Sequence, residues 1–363
     1  MGGAECRQPR HGLRVRARAE LEGTLHRSEI TIDLGALRRN VRTLLRALDG
    51  AELWAVVKAD GYGHGAVDVA RAATEAGASA LCTATVGEAL ELRRALPGAR
   101  ILVLGPFVDQ EVDAAREGRL ELTAAGGRAP EGVPVHVKLD TGMGRWGLSE
   151  LEAPPRYVVG LMSHLATADS DPDFARRQLE RFLDLTAPYA HLIRHLANSA
   201  AALSLPEARL DAARCGIALY GLSPFGTDPA EDGLEPVLRW TSHLACVRRL
   251  GRGESTGYGR RFVSRQETWI GVVPVGYADG FRRDLTGTEV VVAGERRPVV
   301  GTVSMDAFAV ELRRKLPVGE PVTILGEGLL AEEHARVADT ITYELVSRID
   351  SSPARTRRRV LDA

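Results

Sequence analysis

Lys58 stands at the junction of two unlike stretches. Residues 53–57 (Leu-Trp-Ala-Val-Val) form an apolar, partly β-branched run that reads as a buried parallel strand, and Gly61, Gly63 and Gly65 come next in a short loop. A lysine closing a buried run is unfavourable unless its amine is solvated, paired or covalently used. Glycines let backbone approach a ligand closely and turn amides toward an anion. The stretch therefore admits two readings. One is a lysine forming a Schiff base with pyridoxal 5'-phosphate; the other is a surface lysine before a turn. A glycine-rich loop by itself does not choose between them.

The wider pattern supplies a frame. Eight short apolar strands are expected before residue 220, centred on 55–57, 80–82, 101–104, 120–122, 135–137, 158–161, 192–195 and 210–213, with amphipathic helices at 66–76, 86–95, 109–117 and 173–187. Such an unbroken series predicts an α/β protein built on a (β/α)8 TIM-type barrel, whose site lies at the C-terminal strand ends. The gaps 124–133 and 142–156, with Pro130, Pro154 and Pro155, are too short for normal barrel helices, so outer helices are expected to be reduced around residues 124–156. Ahead of the barrel, residues 28–33 alternate like a strand, and Leu37, Val41, Leu44, Leu45 and Leu48 share one helical face. After residue 236 the strands lengthen and alternate. A hairpin over 290–300 turns at Ala293-Gly294-Glu295, and further strands read at 269–275 and 321–325. The expected division is a disordered extension over 1–27, a cofactor-binding barrel over 28–236 and a mostly β domain over 237–363.

The other strand ends test the first stretch. Strand five runs into Lys138 and on to Arg145, strand six ends Ser163-His164, strand seven ends Asn198-Ser199, and strand eight ends Arg214-Cys215-Gly216-Ile217. Together they predict a positive pocket for a ligand bearing a phosphate and a carboxylate. Singly, each has a plainer reading: His164 as a core histidine, Arg145 and Arg214 as structural ion-pair partners, Ser199 as the N-cap of a short helix. In that last case capping and anion binding coincide, because a helix N-terminus favours anions.

Composition narrows the classes. With 363 residues, 44% apolar content and a net charge of −1, nothing points to nucleic acid or an anionic membrane as partner, and no apolar stretch approaches the ~20 residues of a membrane span. Residues 1–27 carry Arg7, Arg10, Arg14, Arg16, Arg18 and Arg27 without a continuous apolar segment, unlike a secretory signal; a disordered extension or a misassigned start codon is expected. Cys6, Cys82, Cys215 and Cys246 lack the spacing of a zinc site or disulfide framework, which suggests reduced thiols in the cytoplasm and no metal.

Residues 53–65 resemble the lysine signature of the alanine racemase family. Seven further motifs match that family in order: 135–145, 164–169, 197–201, Gly257-Tyr258-Gly259, 275–280, Ser304-Met305-Asp306 and Thr342-Tyr343-Glu344. The resemblance spans residues 28 to about 350. It implies pyridoxal phosphate held on Lys58, with its phosphate at Tyr62, Ser199, Gly216, Ile217 and Tyr343, and Asn198 counted with the cofactor-binding group. It implies Arg214 facing the pyridine nitrogen, and His164 beside the ring with His195 in its hydrogen-bond network. Lys58 would serve the D-isomer and Tyr258, from the partner subunit, the L-isomer. Arg145 and the Met305 amide would bind substrate, and Tyr277 and Asp306 would line the way in. Ser304 occupies a variable position, and Lys138 matches a lysine that is carbamylated in many members. The implied activity is interconversion of L- and D-alanine, supplying D-alanine for cell-wall peptidoglycan, in a head-to-tail homodimer with shared sites. Rival readings are a broader racemase acting on serine, a non-catalytic pyridoxal phosphate-binding barrel, a decarboxylase of similar architecture, and a chain that has lost activity. Tyr258 and the β domain argue against the second, and Arg214 argues against the third.

Overall fold

The computed structural model describes residues 26–362 except 127, 128, 153, 155 and 327. Residues 1–25 of the expected extension, with Cys6, and Pro155 of the short gap lie outside the described residues. Arg27, grouped with the extension by composition, is fixed: its guanidinium donates to the Asp279 carboxylate and the Asp306 carbonyl, and the Ser242 hydroxyl donates to its own carbonyl.

A first strand, β1 (Glu29–Asp33), leads into the helix Leu34–Leu48. Eight parallel strands then close a barrel: β2 (Glu52–Val56), β3 (Ala80–Thr83), β4 (Ile101–Val103), β5 (Glu121–Ala124), β6 (Val135–Lys138), β7 (Val158–Met162), β8 (Ile193–His195) and β9 (Ala212–Cys215), with β9 returning to β2. These are the eight strands expected from sequence. Their apolar runs are continuous because both faces are buried, one against the barrel interior and one against helices. Helices Ala66–Glu75, Val86–Ala95, Asp109–Glu117 and Pro172–Thr186 form part of the outer ring. Between β5 and β6, and between β6 and β7, the described residues contain no helix, as the short gaps require. After β6 the chain is instead pinned by the Asp140 carboxylate, which accepts the N–H groups of Gly142, Met143 and Gly144. No helix among the described residues is long and apolar enough to cross a membrane.

The second layer is a nine-stranded sheet, in the order Cys246–Leu250, Thr268–Val273, Phe308–Leu312, Glu295–Val300, Glu289–Val292, Pro321–Leu325, Leu238–His243, β1 and Arg357–Leu361. The sequence division places residues 28–33 with the barrel, but their hydrogen-bond partners lie here. β1 pairs antiparallel with Leu238–His243 and parallel with Arg357–Leu361. Its alternating burial, with Ile30 and Ile32 fully inside, is the mark of a one-sided sheet strand and separates it from the barrel strands.

The helix Thr342–Ser347 carries the second layer onto the barrel mouth. Gly63 makes the approach possible: a Cβ there would lie 2.5 Å from the Val346 carbonyl oxygen. Nearby, the fully buried Asp279 carboxylate accepts from Arg27, Arg355 and the Gly276 amide, and Asp306 shares both arginines. Three segments of chain therefore meet on one carboxylate, and Asp306 joins through the shared arginines. Replacing the Asp279 carboxylate leaves the buried Gly276 amide without an acceptor and strips Arg27 and Arg355 of one of the two carboxylates they share, so Asp279→Ala is expected to cost about 2–4 kcal/mol. Urea unfolding of the variant checks this; an unshifted midpoint would show that the cluster does not hold the second layer together.

Candidate active site

Lys58 projects from the C-terminal end of β2, as expected, but the glycine-rich segment after it is not slack. Ala59, Asp60, Gly61 and Tyr62 all have φ between 50° and 61°, one turn of left-handed helix. For Ala59, Asp60 and Tyr62 that conformation costs of order 1–3 kcal/mol each, so neighbours must hold it. The Glu88 carboxylate accepts the Ala59 amide, the Asp60 carboxylate accepts the Ala66 amide and so caps the next helix, and the Gly63 and Gly65 amides donate back to Ala59 and Asp60. The turn points Tyr62 inward, where its ring meets Tyr220 and Tyr343. The Lys58 amine has no hydrogen bond or ion pair among the described residues. Burial, reinforced by the charge of Arg145, moves it below the ordinary lysine range.

Opposite lies an anion cradle. The short helix Ser199–Ser204 is capped by Asn198, whose carbonyl oxygen accepts the Ala201 amide. The capping role considered for Ser199 therefore falls to Asn198. Ser199 is left to accept, at its hydroxyl oxygen, the Gly216 amide (3.0 Å) and the Ala218 amide (3.4 Å). A Cβ on Gly216 would sit 2.5 Å from the Tyr62 hydroxyl, so glycine is needed for these groups to converge. Ile217 begins the next turn, and Tyr343 packs on Tyr62 from the second layer. Two hydroxyl-bearing rings, a serine hydroxyl and the backbone amides gathered on it suit a phosphate.

At the same end of the barrel, Arg214 is held by five contacts. One of its terminal nitrogens donates to His195 Nδ1 (2.6 Å) and the His195 carbonyl. The other donates to the carbonyls of Ser163 (2.7 Å) and Leu196, and approaches His164 Nδ1 (3.4 Å). Burial lowers Arg214 to about 10, still a cation at neutral pH. Burial, then the charge of Arg214, drops His164 to about 3 and His195 well below its ordinary value, so both rings are neutral. Lys138 falls to about 8, chiefly through burial and then the charges of Arg145 and Arg214. The indole of Trp146 carries both Lys138 and Arg145, 4.8 Å and 4.4 Å from its centroid.

The residues present fit pyridoxal phosphate. They offer a lysine amine free to condense with an aldehyde, a cradle that only glycine leaves open, and a fixed arginine whose charge reaches that lysine. Lys58, Tyr62, Lys138, Arg145, His164, Asn198, Ser199, Arg214, Gly216, Ile217 and Tyr343 gather at this end of the barrel. Tyr258 and Met305 do not join them within one chain. They are 73% and 51% exposed on the second layer, and no hydrogen bond, ring contact or charge interaction among the described residues links them to Lys58. Tyr277 is also exposed there, and Asp306 is engaged by Arg27 and Arg355. Sequence reasoning misses Glu88 and Trp146. Thr85-x-x-Glu88 is a readable capping box, and both halves form, but its further bond to Ala59 is purely tertiary.

Two family models match in series: alanine racemase, N-terminal domain, over residues 32–224, and alanine racemase, C-terminal domain, over residues 237–358. The alanine racemase of Streptomyces coelicolor is 41% identical over 92% of this chain and 96% of its own length, and alanine racemase 1 of Bacillus subtilis is 38% identical over 88% and 90%. Among solved structures, alanine racemase from D-cycloserine-producing Streptomyces lavendulae superposes with a TM-score of 0.85 at 37% identity, over 94% of this chain and 98% of that one. The S. coelicolor enzyme gives 0.86 at 38% identity, over 93% and 98%. A pocket built for a phosphate beside a free lysine, on a barrel followed by a β layer, thus coincides with likeness along nearly the whole chain, and the protein belongs to the alanine racemase family.

Proposed function

We propose that this chain interconverts L- and D-alanine, using pyridoxal 5'-phosphate and a second copy of itself to complete the site, and so supplies D-alanine for peptidoglycan in the cytoplasm. The observation that carries the reading is the Lys58 amine, without a hydrogen bond or ion pair among the described residues, at the barrel end that also bears Arg214 and the anion cradle. Lys58 and the hydroxyls of Tyr62, Ser199 and Tyr343, with the amides of Gly216 and Ile217, would hold the cofactor. When bound, the cofactor withdraws electrons from the substrate Cα and makes its proton labile.

The chain supplies the proton transfers. Racemisation needs a base on each face of Cα, each returning its proton in the opposite direction. The lowered Lys58 amine can act from one face. Tyr258 from the second copy acts from the other; its exposure in the isolated chain leaves it free to cross. A tyrosine's ordinary pKa near 10 makes it a weak base, so it needs help. His164 provides it: its Nδ1 faces Arg214, which leaves the Nε2 proton to donate to the phenolate. Arg214 cannot hand a proton to the pyridine nitrogen, which restrains electron withdrawal and disfavours side reactions that need a longer-lived carbanion. Arg145 and the Met305 amide orient the substrate carboxylate. Lys138, lowered to about 8, presents enough neutral amine to add carbon dioxide, releasing one proton and leaving an anionic carbamate beside Arg145.

Four results are expected. In heavy water with the loaded protein, L-alanine should lose its Cα proton as D-alanine forms; the absence of both changes would overturn the assignment. Lys58→Ala should lose at least ~10³-fold in turnover, as expected for a reacting base that also anchors the cofactor. Tyr258→Phe should exchange the proton of D-alanine far faster than that of L-alanine, and equal rates would remove Tyr258 from its role. Carbon-13 bicarbonate should give a carbamate resonance that disappears in Lys138→Ala.

The buried histidines set a pH response. Burial lowers His64 to about 4 and also lowers His136 and His195, and all three are fully buried. The native state keeps them neutral while the unfolded chain protonates below about 6.5. Stability is therefore intact above pH 6.5 and falls on acidification. His64 contributes a loss of roughly 1 kcal/mol by pH 5.5, and His136 and His195 act in the same direction. Denaturant midpoints at pH 7.5 and 5.5 check the sign.

A further inference from the structure

The interior of this barrel contains a polar line whose far members, His136 and Glu121, have no part in the site described above. It starts at Arg214, at the C-terminal end of β9, and runs to the opposite end of the barrel. Arg214 meets His195 Nδ1 at 2.6 Å, His195 Nε2 meets His136 Nδ1 at 2.8 Å, and His136 Nε2 meets Glu121 Oε2 at 2.8 Å. Arg100 donates to Glu121 Oε1 at 2.7 Å. His136 and His195 are completely buried, and the Trp54 ring packs on both.

The direction of every proton in the line is set by its two ends. An arginine only donates and a carboxylate only accepts. His195 Nδ1 must therefore be a bare acceptor, which puts the His195 proton on Nε2. His136 Nδ1 must accept that proton, which puts the His136 proton on Nε2, where it is donated to Glu121. Reversing either ring would set two N–H groups against each other in a dry interior. Burial disfavours charge on Glu121, but the bonds from His136 and Arg100 outweigh it and hold the carboxyl below its ordinary value, as an acceptor.

The backbone is shaped to let the line through. β7 runs between β6, which bears His136, and β8, which bears His195. At the crossing stands Gly160, paired with His136. A Cβ at that position would lie 2.2 Å from His136 Nδ1 and 2.5 Å from Cε1, so any other residue would close the gap.

We infer that Glu121 and His136, admitted by Gly160, are positioning residues. They lock His195 as the Nε2-protonated tautomer, so that its Nδ1 lone pair fixes the orientation of the Arg214 guanidinium in the site. The consequence for catalysis rests on Arg214 facing the cofactor's pyridine nitrogen; the tautomer lock does not.

The test has one arm for each. Nitrogen-15 spectra of histidine rings, assigned by single-histidine replacement in the cofactor-free protein, should show both His136 and His195 neutral with the proton on Nε2. Glu121→Ala and Gly160→Ala should each give mixed His195 tautomers, whereas Glu121→Gln, which keeps an acceptor oxygen, should retain the wild-type pattern. In the loaded enzyme, Glu121→Ala should lower kcat by about 10-fold or more, with little change in KM, and should raise the pyruvate released per racemisation; Glu121→Gln should recover most of both. A wild-type His195 proton on Nδ1 overturns the proposal. So does a Glu121→Ala protein that keeps both the tautomer and the product ratio while losing only thermal stability, since that is the behaviour of a structural ion pair. If the wild-type protein neither binds pyridoxal phosphate nor racemises alanine, the functional assignment fails while the spectra still decide the tautomer lock.

Discussion

Four cations share the mouth of the barrel: Lys58, Lys138, Arg145 and Arg214. Among the described residues none has a carboxylate in an ion pair, and each lysine is lowered by burial and by its cationic neighbours. Like charges a few ångströms apart repel by several kcal/mol at the effective dielectric of a protein. The architecture absorbs this strain with neutral means. Arg214 is tied to three backbone carbonyls and a bare histidine nitrogen, Trp146 receives Arg145 and Lys138 on its ring face, and a strained left-handed turn keeps Lys58 in place. Such a pocket is electrostatically unfinished. In the function proposed above, a dianionic phosphate and a carboxylate would complete it, so that cofactor and substrate would supply the counter-charge that the chain withholds.

The barrel is legible in the sequence because its strands are buried on both faces, which leaves uninterrupted apolar runs, and because chemistry-bearing residues stand where those runs end. β1 reads into the wrong layer although its alternation is visible: alternation shows a one-sided strand but does not name its neighbours. The turn after Lys58 is opaque for a different reason. Gly61 advertises freedom, yet the left-handed conformation extends over Ala59, Asp60 and Tyr62, which resist it, and the force that imposes it comes from Glu88 on another helix. Ser199 and Asn198 are adjacent and both are good caps; only the register of the helix decides which one caps and which one points inward.

The line from Arg214 to Glu121 shows the same limit more sharply. His136 lies within a family motif and Glu121 within a strand, but their spacing in sequence carries no hint that they touch through a hole in β7. Gly160 reads as a weak point in a strand. In the barrel it is an aperture. Polar groups on the floor of a barrel are expensive unless every one is matched, and here each donor finds an acceptor from one end to the other.

The position of β1 bears on how the molecule is made. This strand leaves the ribosome ahead of the whole barrel, yet its partners arrive last: Glu29 pairs with Thr241, 212 residues on, and with Arg357 near the far terminus. All eight barrel strands lie between β1 and Leu238–His243, so the barrel can close while Ile30 and Ile32 are still bare. Pairing over such separations is slow. The barrel half can thus mature first, while the β layer is sealed only when Arg357–Leu361 docks beside β1. Without that strand β1 would be an open, adhesive sheet edge, so Arg357–Leu361 serves as a cover as much as a piece of architecture.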